Sequence, residues 1–278
     1  MRPMRAAKEV SARNLLPLTA YAMLLFVLAG CSSSGVSTPS QAGSTPTPNL
    51  SGTWARKGCT KNGMTVPCPL GPQFVDPETL PFTKRALAFI ESFDEALNPK
   101  YECSPASMPS LLQDPYDFRI EPPMADRLIF TYEKDDIVRT IWMDGHAHLE
   151  PSVYDLTIQG HSHGRYEGNE LVIETNKFAF NPMGLEDNSN FPTSTLKRVV
   201  ERYRRDGTRL KLDVTVEDPL IIYEPIKFSV EWEATDKPLV LPYDCDVELS
   251  QEPRKYMPPG GLNSLRQPIK TTLRAKAK

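Results

Sequence analysis

Histidine, cysteine and tryptophan are scarce in this chain, with 4, 5 and 3 copies among 278 residues. No two cysteines stand in a Cys-x-x-Cys spacing, which argues against the common zinc ribbons and fingers. A glycine-rich phosphate loop is absent, and with it the usual nucleotide cradle. Beyond Leu28 no apolar run reaches the roughly 20 residues that span a bilayer. A basic surplus is missing too. The formal charge is −3, and −6 once residues 1–30, with four basic side chains and one acidic one, are set aside. That argues against nucleic acid as a partner.

What the chain does have, at its start, is an address. Arg2, Arg5, Lys8 and Arg13 precede the apolar run Tyr21–Leu28, which closes on Leu28-Ala29-Gly30-Cys31. The run is too short for a spanning helix, and Pro17 and Thr19 interrupt its upstream side. The pattern resembles the lipobox of bacterial lipoproteins. This resemblance implies that residues 1–30 are a signal peptide and that the Cys31 thiol carries diacylglycerol, with palmitate among the acyl chains. Ser32 in the place of Asp implies, by the same resemblance, an outer-membrane lipoprotein facing the periplasm. Acyl chains that gain about 0.8 kcal/mol per buried methylene would hold it there.

Residues 31–49 are uncharged and rich in Ser, Thr, Pro and Gly, the composition of a flexible tether. Residues 50–250 read as a single β-barrel domain. Residues 251–278 read as a basic, disordered tail, with Arg254, Lys255, Arg266, Lys270, Arg274, Lys276 and Lys278 against Glu252. Such a tail could meet anionic envelope surfaces in a salt-sensitive way. With Cys31 set aside, Cys59, Cys68, Cys103 and Cys245 remain, an even number suited to two disulfides in an oxidising compartment. Four cysteines allow three pairings. Cys59 and Cys68 flank Asn62-Gly63 and could close a local hairpin, which leaves Cys103 for Cys245.

Phe82, Ala86, Phe89, Ile90, Phe93 and Leu97 recur at helical spacing between Pro81 and Pro99, predicting an amphipathic helix of four turns. Strand patterns follow at 117–121, 127–134, 137–143, 160–167, 170–177, 196–205, 208–217, 228–234 and 244–249. Gly168-Asn169 and Asp206-Gly207 read as two-residue hairpin loops, the second as a type I′ turn. Successive hairpins with little helix between them predict a mainly β protein, an antiparallel meander closing into a barrel. At its start, Gly52-Thr53-Trp54 resembles the Gly-x-Trp of lipocalins and their calycin relatives. That implies a lipocalin-like barrel with Trp54 plugging one end. A longer stretch is similar to a family of uncharacterised exported bacterial proteins. It comprises Arg139 to Gly145, His148, Gly160-His161-Ser162 through Gly164-Arg165, Glu167-Gly168, Leu171-Val172 and Thr175, with Cys103 and Cys245. This resemblance supports the fold unit and implies no reaction.

All four histidines fall at 146, 148, 161 and 163, and residues two apart on a strand share a face. His146, His148, His161 and His163 are therefore candidate ligands for zinc or another divalent metal. The Gly168-Asn169 loop sets a register that puts His161, His163, Arg165, Glu174 and Asn176 on one face. Ser162, Gly164, Tyr166, Leu171, Ile173 and Thr175 take the other. His148, His161, Arg165 and Glu174 are the candidates for acid/base work if their face lines a cavity. An apolar face normally turns inward, which would leave them in solvent. Serines lie mainly in the tether and loops, so no serine nucleophile is expected. The leading expectation is a binding module that holds a small, partly apolar ligand near Trp142, Tyr166 and Trp232. A His-dependent enzyme (metal-dependent hydrolase, lyase or isomerase) and an envelope structural protein are the alternatives.

Overall fold

The computed structural model describes residues 47–61, 64–67, 79–112, 116–145, 156–186 and 190–258. In chain order the strands are β1 (Gly52–Arg56), β2 (Gly58–Lys61), β3 (Met64–Pro67), β4 (Phe118–Ile120), β5 (Arg127–Tyr132), β6 (Val138–Trp142) and β7 (His161–Glu167). There follow β8 (Glu170–Asn176), β9 (Asn181–Glu186), β10 (Phe191–Thr193), β11 (Arg198–Asp206), β12 (Arg209–Glu217) and β13 (Ile226–Thr235). Helix α1 (Lys84–Ser92) lies between β3 and β4, and the short α2 (Val247–Gln251) follows β13.

Nine strands close a barrel in the order β1-β13-β12-β11-β8-β7-β6-β5-β4, with β4 returning to β1. The cause is visible in the strands themselves. In β5, Leu128, Phe130 and Tyr132 are buried while their neighbours are half-buried, and in β12 Leu210, Leu212, Val214 and Val216 alternate in the same way. Such alternation gives each strand one face for a core and one for water. The inward set forms a continuous core in which Phe118 packs against Phe130, Tyr132 and Trp232 with ring centroids 5.9, 5.1 and 5.1 Å apart.

The meander breaks at one place. β6 and β7 run parallel, through Ile141↔Ser162 and Trp142↔His163, while every other described pair of the barrel is antiparallel. A parallel neighbour needs a crossover of a dozen or more residues, and the chain from Met143 to Gly160 supplies that length.

The hairpins match expectation to within one residue. Gly168-Asn169 is a two-residue loop with Glu167 opposite Glu170 and His161 opposite Asn176. The later loop is Gly207-Thr208, because Asp206 pairs with Arg209. Gly168 and Gly207 take φ of 62° and 59° as first loop residues, a left-handed conformation that costs glycine nothing. Since Gly207 alone of the second pair is left-handed, that turn is not type I′. The β2–β3 hairpin brackets residues 62 and 63 as the cysteine spacing suggested, although Cys68 lies outside the described residues. Cys103 is bonded to Cys245.

Two elements differ from their sequence patterns. Helix α1 ends at Ser92 instead of continuing to Leu97, since the Asp94 and Asn98 side chains accept from Ala96 N and Lys100 N and start separate 3-10 turns. Leu97 is consequently 70% exposed, while Ala86, Leu87 and Ile90 face the core. In place of the expected strand at 244–249, residues 244–246 form no regular element and Val247–Leu249 begin helix α2, capped by Asp246. The barrel has already closed through β1 and β13, so no strand edge is left there to pair with it. Residues 252–256, expected within the tail, form a 3-10 turn in which Arg254 bonds Glu102 at 2.5 Å. The β9–β10 hairpin, unforeseen in the sequence, packs with α1 at one end of the barrel, where Phe82 meets Phe191 edge-on at 4.9 Å. No helix among the described residues is long and apolar enough to cross a membrane.

Candidate functional site

The opposite end of the barrel is stoppered by Trp54, which is wholly buried. Its indole N–H donates to Leu50 O at 3.0 Å, and the Arg205 guanidinium lies 5.1 Å over the ring while donating to Asn49 O at 3.0 Å. The residues that enter β1 are thereby folded across the mouth. Beside this stopper a cleft of about 400 Å³ remains, lined by Pro48, Leu50, Ile120, Pro122, Pro123, Leu128 and Tyr166, with Thr47, Asn49, Ser51 and Glu121 at its polar edge. Its chemistry is apolar with a few hydrogen-bonding groups. Among the described residues that line it none carries a cationic side chain, and Glu121 is already engaged by Arg119 at 2.6 Å. Burial raises the pKa of the Tyr166 phenol, which keeps it neutral.

Deeper inside sits a polar node that sequence reasoning missed. Arg139 of β6 forms a two-pronged ion pair with Glu201 of β11, Nη2 to Oε1 at 2.7 Å and Nη1 to Oε2 at 3.1 Å. The two side chains are 1% and 0% exposed. Arg139 also donates to Tyr132 Oη at 3.3 Å and to the hydroxyls of Ser162 and Thr175 at 3.2 Å each, while the Tyr203 hydroxyl donates to Glu201 at 2.8 Å. Five consecutive strands, β5, β6, β7, β8 and β11, thus meet at one guanidinium. Burial opposes the charge on Arg139, but the Glu201 carboxylate beside it carries its pKa well above the usual value. Burial, then Glu201, pushes the Tyr203 phenol far up, and burial raises Tyr132. The signal was legible: Arg139 shares a strand face with Ile141, and Glu201 falls between Val199 and Tyr203 in an alternating pattern.

Gly160-His161-Ser162-His163-Gly164 spells Gly-x-Ser-x-Gly, which sequence reasoning also passed over. Ser162 lies within β7, 4% exposed, with its hydroxyl 2.8 Å from that of Thr175. A nucleophile elbow needs an exposed serine on a sharp strand-to-helix turn, and this serine is part of the buried node.

The His/Arg/Glu face of the β7–β8 hairpin points out of the barrel. Ser162, Gly164, Leu171, Ile173 and Thr175 are buried on the inside, whereas His161, His163, Glu174 and Asn176 are half-buried outside and Arg165 is exposed. His161 and His163 stand with ring centroids 4.8 Å apart, and His163 Nδ1 is 3.9 Å from Asp144. Burial and then the neighbouring His163 lower the pKa of His161. Glu174 is gripped by Arg198 through two contacts of 2.7 Å, and Arg165 pairs with Glu167. His146 and His148 lie outside the described residues. No three His, Cys, Asp or Glu side chains among the described residues converge in a way that could hold a metal ion. Of the three aromatic candidates, Trp142 faces outward under the Arg127 guanidinium at 4.5 Å, Trp232 is packed into the core, and Tyr166 lines the cleft.

The fold and the site together define a closed β-barrel with a stoppered mouth, an apolar cleft beside the stopper and a buried polar node within, in which Arg139 Nε has no hydrogen-bond partner among the described residues. No protein-family model, no curated protein and no solved structure matches the chain.

Proposed function

We propose that this protein is a lipoprotein, anchored in the outer membrane through Cys31 and facing the periplasm, whose barrel binds a small, partly apolar and uncharged ligand in the cleft beside Trp54. The observation that carries the reading is the lining of that cleft. Ile120, Leu128, Pro122 and Pro123 offer apolar surface, Tyr166 adds a flat ring with one hydroxyl, and among the described lining residues there is no cationic side chain to welcome a carboxylate or phosphate. An aromatic ring with a polar tip is well suited to a ligand that is apolar on one side and wet on the other. Binding is favoured over acid/base catalysis because Glu174 is tied to Arg198 and His161 stands on the outer face, away from the cleft. The lipid and the tether of residues 31–49 would hold the barrel off the membrane surface.

The test is titration of the mature chain, residues 31–278 with Cys31→Ser, with the neutral fluorophore Nile red. Saturable binding with a blue-shifted emission is expected, weakened about tenfold in Tyr166→Ala by loss of about 1.4 kcal/mol of ring contact. Absence of saturable binding, or equal affinity in a folded Tyr166→Ala protein, overturns the assignment.

A further inference from the structure

The chain that follows β13 turns back onto the body of the protein as a strap, residues 236–246, which ends in α2. Val240 N donates to Glu133 Oε1 and Tyr243 N to Asp136 Oδ1, each at 2.7 Å, so the strap is held over the β5–β6 turn. Cys245 is then bonded to Cys103, and Ser250 Oγ donates to Lys100 O at 3.0 Å. Under the strap lies a cavity of about 250 Å³, to which the strap and α2 give Tyr243, Cys245 and Ser250 and the body gives Lys100, Tyr101 and Lys134 among others. It shares no lining residue with the cleft beside Trp54.

The lining selects for a neutral guest that hydrogen-bonds. Two ammoniums stand in the wall and each faces a carboxylate, Lys100 Nζ 3.3 Å from Glu95 Oε1 and Lys134 Nζ 4.0 Å from Asp135 Oδ1. A cationic guest would meet both ammoniums. An anionic one would sit among the carboxylates of Asp136, Asp244 and Asp246, which adjoin the lining residues Asp135, Tyr243 and Cys245 in the chain. Donors and acceptors are both at hand, in the Lys134 ammonium, the Asp135 carboxylate and the hydroxyls of Ser104 and Ser250. Tyr243 adds a flat apolar surface, fixed in advance by edge-on packing against Tyr116 at 5.9 Å and by the Lys134 ammonium 5.7 Å from its centroid. A pyranose matches this wall, with C–H groups on its faces for an aromatic ring and hydroxyls around its edge for donors and acceptors alike. We propose that the cavity under the strap is a second binding site, for one neutral sugar ring seated on Tyr243 and hydrogen-bonded by Lys134, Asp135, Ser104 and Ser250. The Cys103–Cys245 bond pins the strap that completes it.

The test is saturation-transfer NMR on the oxidised mature chain with Cys31→Ser, using methyl α-D-glucopyranoside, methyl β-D-galactopyranoside and N-acetylglucosamine as probes. Saturable transfer to the ring protons of at least one is expected, and transfer to none of them overturns the site. Tyr243→Leu keeps apolar bulk but removes the flat ring, and should weaken binding about tenfold, whereas Tyr243→Phe should stay within about twofold of wild type. Equal affinity in the two variants overturns the role of the ring. Inorganic phosphate at the concentration of the sugar should leave the transfer unchanged; displacement by phosphate refutes a neutral guest. Tyr166→Ala, in the other cleft, should bind the sugar as wild type does. Loss of sugar binding in that variant would put the sugar beside Trp54 and overturn a second site, while failure of Nile red to bind bears only on the first.

Discussion

Replacing Lys197 by methionine isolates the cost of an ammonium buried in the capped end of the barrel. Lys197 is 1% exposed; its Nζ donates to Met108 O at 2.6 Å and to Ser107 Oγ at 3.2 Å, and lies 3.8 Å from the centroid of Phe178. Burial lowers its pKa from the ordinary 10.5 to about 7, with Asp218 pulling the other way. The folded protein thus holds this proton less tightly than the unfolded chain does. Stability is fully present above pH 10.5 and is lost as pH falls through that window to about 7. At about 1.4 kcal/mol per pH unit the whole window amounts to about 5 kcal/mol. Because half of the folded molecules are already neutral near the lowered pKa, the step from about pH 7 to about pH 9 gains about 2 kcal/mol. The assay is urea unfolding of the mature chain at those two pH values. Wild type should gain about 2 kcal/mol on going to the higher pH, and Lys197→Met no more than about 0.5 kcal/mol. Equal gains in the two proteins would refute the reasoning, since every other titrating group is shared.

Arg139→Leu should cost about 3–5 kcal/mol by stranding Glu201, and Arg139→Leu/Glu201→Leu should cost less than that single change; urea melts that rank the double variant below it would contradict an ion-paired node. Gly164→Ala should lose about 1–3 kcal/mol, because its methyl would collide with Met143 Sδ and Ile141 Cγ2, and Met143→Ala in the same chain should recover part of the loss. Cys103→Ser should lower stability by about 5 kcal/mol on loop entropy across a separation of 142 residues, read from the urea midpoint under oxidising conditions. Cys31→Ser in the full chain should abolish incorporation of labelled palmitate and release the protein from membrane pellets; retained label would refute lipidation at that thiol.

Much of the barrel could be read before its coordinates. The Gly168-Asn169 register was foreseen pair by pair, because a two-residue loop leaves one way to align its strands and a one-residue slip would turn Leu171 and Ile173 to water. The order of β6 and β7 was not, since alternation along a strand says which face is buried and nothing about which neighbour is parallel. Helix α1 was overextended because apolar spacing continued past Asp94, where side-chain capping, invisible to periodicity, ended it. The site divided along the same line. Tyr166 was named from its strand and lies in the cleft, whereas Trp142, named on the same grounds, is on the outer surface.

By itself the sequence determined the local rules: the hairpins and the inward and outward faces of the strands. These depend on residues near one another in the chain. Only the tertiary structure decided what the faces enclose. Arg139 and Glu201 are 62 residues apart and become partners because closure of the barrel removes water from both, leaving each other and the hydroxyls of Tyr132, Ser162, Thr175 and Tyr203 to solvate them. The cleft beside Trp54 likewise belongs to no segment, being the space left where β4, β5 and β7 end around a stopper drawn from the start of β1.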